Sequence, residues 1–469
     1  MDYKKLSVSN FLKETKAGNS DLVDFYAKLS EEIKNLDKKF NFFTILNKPN
    51  ITQIKNKNGK LHSLPVSVKD CICVKGLQSS AGSKILKGYM PPFDATAVLN
   101  VKSEGGLVIG KTNQDEFGFG TFSTNSGFAV PKNPLDPTRS CGGSSGGAAG
   151  LTRALDFPHI ALGESTGGSI SCPASFCGVA GLTPTYGLVS RYGLIDYANS
   201  LDKIGPIGKT VEDVALMLSA IAGHDPNDST SIQKEKEDYT RYLDKKEKLK
   251  IGVPKEYFSG VNDKITKNIW NGIKLLENLG YKYEEISLPM TDYVIASYYI
   301  IATAEASTNL AKFAGMRYGM SEQIEGSFNE YFSQVRTKYF GEEAKRRILL
   351  GTYTRMAGYR DQYYLKAMKV RTLIIQEFKK AFKKYDILIA PTMPVVAPKF
   401  SEIEKLTPIE NYMMDILTVA PNLAGIPMLS VPCGSINGMP VGLHIMGDHL
   451  QEGKVLKAGY DLDKLRKQL

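Results

Sequence analysis

The sequence of 469 residues predicts an α/β protein built on one continuous core. Three observations carry that expectation. Segments with strand-like and helix-like hydrophobic periodicity alternate along most of the chain, as layered α/β folds require. Hydrophobic residues make up 42% of the chain, enough for a sizeable core and too many for a disordered polypeptide. No internal repeat occurs, which argues against several independent modules.

Residues 10–37 read as helical, because Phe11, Leu12, Leu22, Phe25, Tyr26, Leu29 and Ile33 recur at helical spacing. LHSLPVSVKDCICV (61–74) alternates Leu64, Val66 and Val68 as a strand that ends near Lys69-Asp70. A helix over 95–104 and a strand in GGLVIGKTN (105–113) follow. From 114 to 210 the chain is rich in Gly, Ser, Pro and Thr, yet studded with apolar side chains. That mixture is too hydrophobic for a linker and too interrupted for long helices, so it predicts tight turns around a site.

Thr210-Val211-Glu212-Asp213 reads as a capping box that opens a helix running to about Gly223. The polar stretch 224–248 reads as an exposed connector. KLKIGVP, a helix over 265–279 and YKYEEISL form a β-α-β unit with Gly280 as the helix stop. Residues 291–384 are mostly helical and rich in Tyr and Arg. YDILIAPT (385–392) reads as a buried strand, and LSVPCG to GMPVGLHIMG (429–447) as a closing pair of strands.

Composition excludes several function classes. The net charge of +10 comes from lysine and favours solubility with weak attraction to nucleic acid. The densest basic stretch, Lys366–Lys384, has apolar residues at helical spacing and predicts a charged face over a packed one. Six cysteines lie at 71, 73, 141, 172, 177 and 433 without a C-x2-C pair, so neither a disulfide framework nor a zinc site is expected. No apolar run reaches membrane-spanning length, and MDYKKLSVSNFLKETK lacks the apolar core of a signal peptide. The expectation is a soluble cytoplasmic protein with no membrane partner; an organellar location stays open.

Two stretches attract chemistry: RSCGGSSGGAAG (139–150) and GESTGGSIS (163–171). A phosphate loop is not expected. GGLVIGKT (105–112) fits the P-loop pattern in form, but Leu107, Val108 and Ile109 are strand formers where a flexible loop is needed. A nucleophile elbow at Gly142–Gly146 would need a histidine base, and none of the five histidines (62, 159, 224, 444, 449) has a site-like context. A lysine freed of its proton by desolvation is the other route to an activated serine. Lys69 ends an apolar strand, Ser144 stands between glycine pairs, and Ser169 follows Gly167-Gly168. The N–H groups of Thr166, Gly167 and Gly168 would then form an oxyanion hole. The residues alone leave open a snorkelling lysine and a glycine-rich turn without catalytic role.

The blocks GGSSGG (142–147) and ALGESTGGSISCPASFCGVAGLTPTYGLVSRYG (161–193) closely resemble the amidase signature family. KTNQDEFGFGTFSTNS (111–126), LDKIGPIGKTVEDVALML (201–218), YYIIATAEASTNLAKFAGMRYG (298–319), RRILLGTY (346–353) and NLAGIPMLSVPCG (422–434) extend the resemblance over nearly the whole chain. They are most similar to the branch that serves as glutaminase in tRNA-dependent amidotransferases. The resemblance implies the amidase-signature fold, a mixed central β-sheet covered by helices on both faces. It implies a single domain over 1–469, with an N-terminal helical part (1–60), a signature core (61–223), the connector (224–248) and a second part of the sheet (249–469) carrying a helical insertion at about 291–384.

It also implies a Ser–cis-Ser–Lys triad, with Ser169 as nucleophile, Ser144 on a cis peptide as relay and Lys69 as base. Glutamine would be held by Arg347 on its α-carboxylate and Asp415 on its α-ammonium, with Tyr298 or Tyr299 lining the pocket; Arg346 competes with Arg347 for the first role. No cofactor or metal is implied for the glutaminase step. ATP and magnesium would serve the partner, a B-type chain that works with a small accessory protein. There the ammonia would amidate Glu-tRNA(Gln), Asp-tRNA(Asn) or both, with the misacylated tRNA held mainly by the partner. Two departures from the family pattern stand out. Glu164-Ser165 replaces the usual Ser-Asp before Thr166, and His444 stands where glutamine is frequent. Alternatives are a stand-alone amidase acting on another amide and a non-catalytic RNA-binding or scaffold protein.

Overall fold

The computed structural model describes residues 3–4, 6–53, 56 and 58–466. The ends of the predicted domain (1, 2 and 467–469) and residues 5, 54, 55 and 57 of its N-terminal part lie outside the described residues. The strands are β1 (Phe43–Leu46), β2 (Pro65–Lys69), β3 (Leu107–Thr112), β4 (Ile160–Ser165), β5 (Ala180–Thr183) and β6 (Lys203–Gly208). They continue with β7 (Lys250–Pro254), β8 (Lys282–Ile286), β9 (Ile387–Pro391), β10 (Met428–Ile436) and β11 (Met439–Gly447). All join one 11-stranded sheet in the order β1-β3-β2-β4-β6-β5-β10-β11-β9-β7-β8. Pairing is parallel for β3-β2-β4 and for β9-β7-β8, and antiparallel elsewhere. Every residue of β2, β4, β5, β6 and β9 is buried, so both faces of the sheet centre are covered.

The predicted helix over 10–37 is two helices, α1 (Val8–Lys16) and α2 (Leu22–Phe40). Periodicity reads through the break, but Asp21 restarts the helix by accepting hydrogen bonds from the Val23 and Asp24 amides. The strand expected within 61–74 ends at Lys69, as the alternation through Leu64, Val66 and Val68 predicts; beyond it Ile72 keeps only an isolated bridge to Leu194. Next come α3 (Thr96–Ser103), α4 (Gly146–Ala154), α5 (Ser171–Cys177) and α6 (Val211–Ile221). The Thr210–Asp213 capping box is formed in both directions at the start of α6. The β-α-β unit is β7, α7 (Asp263–Asn278) and β8, with β7 and β8 parallel.

The helical stretch comprises α8 (Val294–Asn309), α9 (Phe328–Tyr339), α10 (Glu342–Arg355) and α11 (Lys366–Phe382), and α11 buries Ala367, Ile374, Phe378 and Ala381 beneath its lysines. Shorter helices α12 (Phe400–Ile403), α13 (Pro408–Met413) and α14 (Val419–Ala424) precede β10, and α15 (Glu452–Arg466) follows β11.

Two further expectations are revised. The strands over 429–447 do form a hairpin, turning at Asn437 and Gly438 with φ of 50° and 78°. They do not close the fold, however: the hairpin sits mid-sheet between β5 and β9, and α15 packs on it. The stretch 224–248 exposes most of its lysines, yet Asp225, Asp228, Tyr239 and Leu243 are buried. Asp225 accepts hydrogen bonds from the hydroxyls of Thr96 and Ser190, which fasten the segment to the sheet's flank. Lys111, the lysine of the P-loop-like pattern, is wholly buried in β3 and donates to Ser79 Oγ at 2.7 Å and to the Asp70 carbonyl at 3.1 Å. It faces no ligand.

Glu116 ties the sheet to the helical part. It accepts hydrogen bonds from the Ser83 hydroxyl and, at 2.9 Å, from the Gly341 amide that precedes α10. Burial pushes its carboxyl from 4.5 up to about 7. Between those values the folded chain holds a proton that the unfolded chain has released, so this group's contribution to stability declines as pH rises through that window. Glu116→Gln removes the decline. Its stability relative to wild type is expected to rise by on the order of 3 kcal/mol between pH 4 and pH 8, read from urea midpoints at both. A pH-independent difference would contradict this.

Candidate active site

β2 and β4 are parallel neighbours, and both run toward the same edge of the sheet. Lys69 closes β2 there, with its side chain fully buried. Its Nζ lies 2.7 Å from Ser144 Oγ, 2.9 Å from the Glu164 carbonyl and 2.8 Å from Glu164 Oε2. Ser144 stands just before α4, after a cis peptide from Gly143. Ser169 stands between β4 and α5, only 7% exposed, and its carbonyl accepts from the Ser145 amide at 3.2 Å. That bond brings the two Gly-Gly-Ser segments together. Ser145 Oγ adds a second tie by donating to the Glu164 carbonyl at 3.1 Å.

Gly167 and Gly168 have no room for a side chain. A Cβ would meet Tyr298 Oη at 2.8 Å on Gly167 and Thr418 Oγ1 at 2.4 Å on Gly168. Among the described residues, no acceptor engages the Thr166, Gly167 or Gly168 N–H groups, which suits donors reserved for a substrate oxygen. The turn is braced from behind, where Asn422 Nδ2 donates to the Thr166 carbonyl.

The Ser144 turn has a brace that sequence reasoning missed. Asp115 accepts from the amides of Ser123 and Asn125 at 2.9 Å each, and burial raises its carboxyl to about 7. Ser123 Oγ donates to the Gly142 carbonyl at 2.8 Å and accepts from the Gly146 amide at 3.1 Å. The signal was present in QDEFGFGTFST, a polar run too apolar to be a surface loop.

Glu164 heads a buried acidic chain. Thr166 Oγ1 lies 2.9 Å from Glu164 Oε1 and 2.8 Å from Asp202 Oδ1. A hydroxyl has one hydrogen, so one of these contacts needs the hydrogen of a carboxyl group. Burial first, then the charge of Glu164, push the Asp202 carboxyl well above the usual carboxylate range. Desolvation of Lys69, expected from the sequence, is thus accompanied by a carboxylate that the sequence reading did not pair with it.

The four predicted pocket residues are gathered beside this turn. Arg347 of α10 is 3% exposed, whereas Arg346 points outward and is exposed. The Arg347 guanidinium lies over the rings of Phe119, Tyr197, Tyr299 and Tyr412, with its carbon 5.1–5.6 Å from their centres. It donates to Glu343 Oε1 at 2.8 Å and to Tyr197 Oη at 2.6 Å. Asp415 accepts from Tyr299 Oη at 2.6 Å and Thr121 Oγ1 at 3.0 Å. Burial raises its carboxyl, and only neutral donors touch it, so an incoming cation would be its natural complement. Tyr298 covers Gly167 and Tyr299 holds Asp415, so the doublet divides its work. A cleft of about 790 Å³, lined by Thr121, Phe122, Arg347 and Tyr412 among others, opens onto this pocket. Among the described residues no cluster of His, Cys, Asp or Glu is arranged to hold a metal ion, and no helix is long and apolar enough to cross a membrane.

A mixed sheet with paired Gly-Gly-Ser turns over a buried lysine defines an amide-cleaving class, and the chain belongs to the amidase family, whose profile, described as Amidase, matches residues 25–456. More specifically, it is 47% identical over 459 residues to the A subunit of glutamyl-tRNA(Gln) amidotransferase from Halothermothrix orenii, covering 97% of this chain and 95% of that one. The corresponding protein of Methanosarcina mazei is 50% identical over 408 residues, covering 87% and 85%. The crystal structure of the A subunit of glutamyl-tRNA(Gln) amidotransferase from Thermotoga maritima superposes with a TM-score of 0.81 at 38% identity, covering 97% and 94%. The native peptide amidase of Stenotrophomonas maltophilia superposes with a TM-score of 0.83 at 27% identity, covering 99% and 98%.

Proposed function

We propose that this chain is the glutaminase component of a tRNA-dependent amidotransferase. Ser169 Oγ attacks the side-chain carbonyl of glutamine while its proton passes to Ser144 and the Ser144 proton to Lys69. The N–H groups of Thr166, Gly167 and Gly168 receive the oxyanion. The proton returns through Ser144 to the leaving nitrogen, the C–N bond breaks and ammonia departs. Water then hydrolyses the acyl-Ser169 ester to glutamate. These steps use side chains and backbone amides, without a cofactor.

The observation that carries the relay is the 2.7 Å contact of Lys69 Nζ with Ser144 Oγ. The substrate assignment is supported by Arg347 and Asp415, opposite charges in one aromatic pocket, as a free amino acid requires at its α-carbon and a neutral amide does not. The close relatives that are amidotransferase subunits extend the reading to the delivery of ammonia. A B-type partner with an accessory protein would use ATP and magnesium to activate tRNA-linked glutamate or aspartate. Treating 1–469 as one domain is supported by the single sheet to which all the described strands belong.

Co-expression with a B-type partner and an accessory protein tests the proposal. A stable complex that releases ammonia from glutamine and converts Glu-tRNA(Gln) or Asp-tRNA(Asn) is expected. A chain that stays alone and hydrolyses neutral amides but not glutamine would make it a stand-alone amidase instead.

A further inference from the structure

We propose that Glu164 is a fourth functional member of the site, a positioning residue whose carboxylate and carbonyl orient the Lys69 amine toward Ser144 and neutralise the charge that Lys69 acquires. The inference rests on the reading of Lys69 as the base.

The hydrogen inventory supports it. A neutral amine carries two hydrogens and one lone pair, and Lys69 Nζ has three polar neighbours. Two are Glu164 oxygens, which accept but do not donate. They take both hydrogens and leave the lone pair facing the Ser144 hydroxyl. After proton transfer, the ammonium's three hydrogens meet three acceptors at 2.7–2.9 Å without movement. The transition state separates charge beside Lys69 and Ser144, both fully buried, where a fixed counter-ion acts strongly. Asp plays the same part for imidazole in serine proteases, holding the base and stabilising its cation.

Glu164 Oε1 accepts from the Thr166 hydroxyl, which also lies 2.8 Å from Asp202 Oδ1, and burial followed by the charge of Glu164 pushes the Asp202 carboxyl well above the usual carboxylate range. The other groups facing it do not replace it. Cys71 Sγ, 3.9 Å from Oε2, is held as a neutral thiol by burial. A side chain on Gly118 would lie 3.5 Å from both Oε2 and Ser144 Oγ, so its absence keeps that face open. Arg191 acts on Asp202, while Lys69 and then Arg347 act on Asp115, a second buried carboxyl whose hydrogen bonds go to the Ser123 and Asn125 amides and not to Lys69 Nζ. No proton reaches Glu164 in the cycle: each one moves among Ser169, Ser144, Lys69 and the leaving nitrogen.

The test measures kcat and KM for glutamine from pH 5.5 to 10 in the assembled complex, with wild type, Glu164→Gln, Glu164→Ser and Ser169→Ala. Glu164→Gln keeps the shape, and Glu164→Ser introduces the family's usual residue in case the first folds poorly. Removing an anion beside an amine disfavours the ammonium form. The acid limb of kcat/KM is therefore expected to move down by about one to three pH units in both variants. The plateau kcat falls by about 10²-fold with KM unchanged, the scale of a misplaced reacting group. Variants with the wild-type acid limb overturn the proposal, whether or not their plateau is reduced, since a space-filling role would spare the profile. A Ser169→Ala enzyme with wild-type activity overturns the triad reading and this inference with it.

Discussion

Replacing Ser169 with alanine is expected to lower ammonia release from glutamine by a factor on the order of 10⁴ to 10⁶, the scale seen when a catalytic nucleophile is removed. The loss falls on chemistry rather than folding. Ser169 is 7% exposed, and its link to the neighbouring segment is a backbone bond from the Ser145 amide, which alanine preserves. Ser144 is no substitute, because its hydroxyl is engaged by Lys69. Thermal midpoints of mutant and wild type should agree, and the burst of acyl-enzyme should disappear. An alanine variant that turns glutamine over at the wild-type rate would refute the mechanism.

The second large effect is expected at Arg347. Of five guanidinium hydrogens, one goes to Glu343 and one to Tyr197, leaving three for a carboxylate. Arg347→Lys keeps the charge but loses the fork and much of the contact with four aromatic faces. Losing the partner of a buried, hydrogen-bonded charge pair outright costs about 2–5 kcal/mol, and a lysine that keeps the charge but not the fork forfeits part of it, so kcat/KM for glutamine should fall by about 10- to 10²-fold. The change should lie mostly in KM, since the α-carboxylate is remote from the bond that breaks. Hydrolysis of a small uncharged amide should fall by less than about tenfold, because that substrate never makes the contact. An equal loss for both substrates would show that Arg347 holds the pocket together rather than reading its substrate.

Much of the fold was legible in the sequence wherever one element is decided by its own residues. Thr210-Val211-Glu212-Asp213 supplies both halves of a capping box, and α6 begins there. The alternation through Leu64, Val66 and Val68 yields β2, and the apolar spacing over 265–279 yields α7. Breaks inside a continuous periodicity were not legible. The residues from Phe11 to Ile33 keep helical spacing across Asp21, whose side chain starts a new helix.

Adjacent look-alikes were equally opaque. Arg346 and Arg347 differ in sequence by one position, but one helical step turns a side chain by roughly 100°, and packing on α8 decides which faces inward. Tyr298 and Tyr299 separate in the same way, one over the Gly167 turn and one on Asp415.

What the sequence determined alone was the inventory: the strand ending in Lys69, two Gly-Gly-Ser turns, and a resemblance strong enough to suggest their roles. Tertiary structure decided how they meet. Lys69 contacts Ser144 across 75 residues and Glu164 across 95 because β2 and β4 lie parallel and present their ends at one edge. It also moved the 429–447 hairpin to mid-sheet. The reason is physical: periodicity and capping act over a few residues, whereas strand order, helix facing and the pairing of buried charges are set by groups far apart in the chain. Glu164 looked like a displaced acid in a familiar motif; only the assembled sheet sets its carboxylate 2.8 Å from Lys69 Nζ.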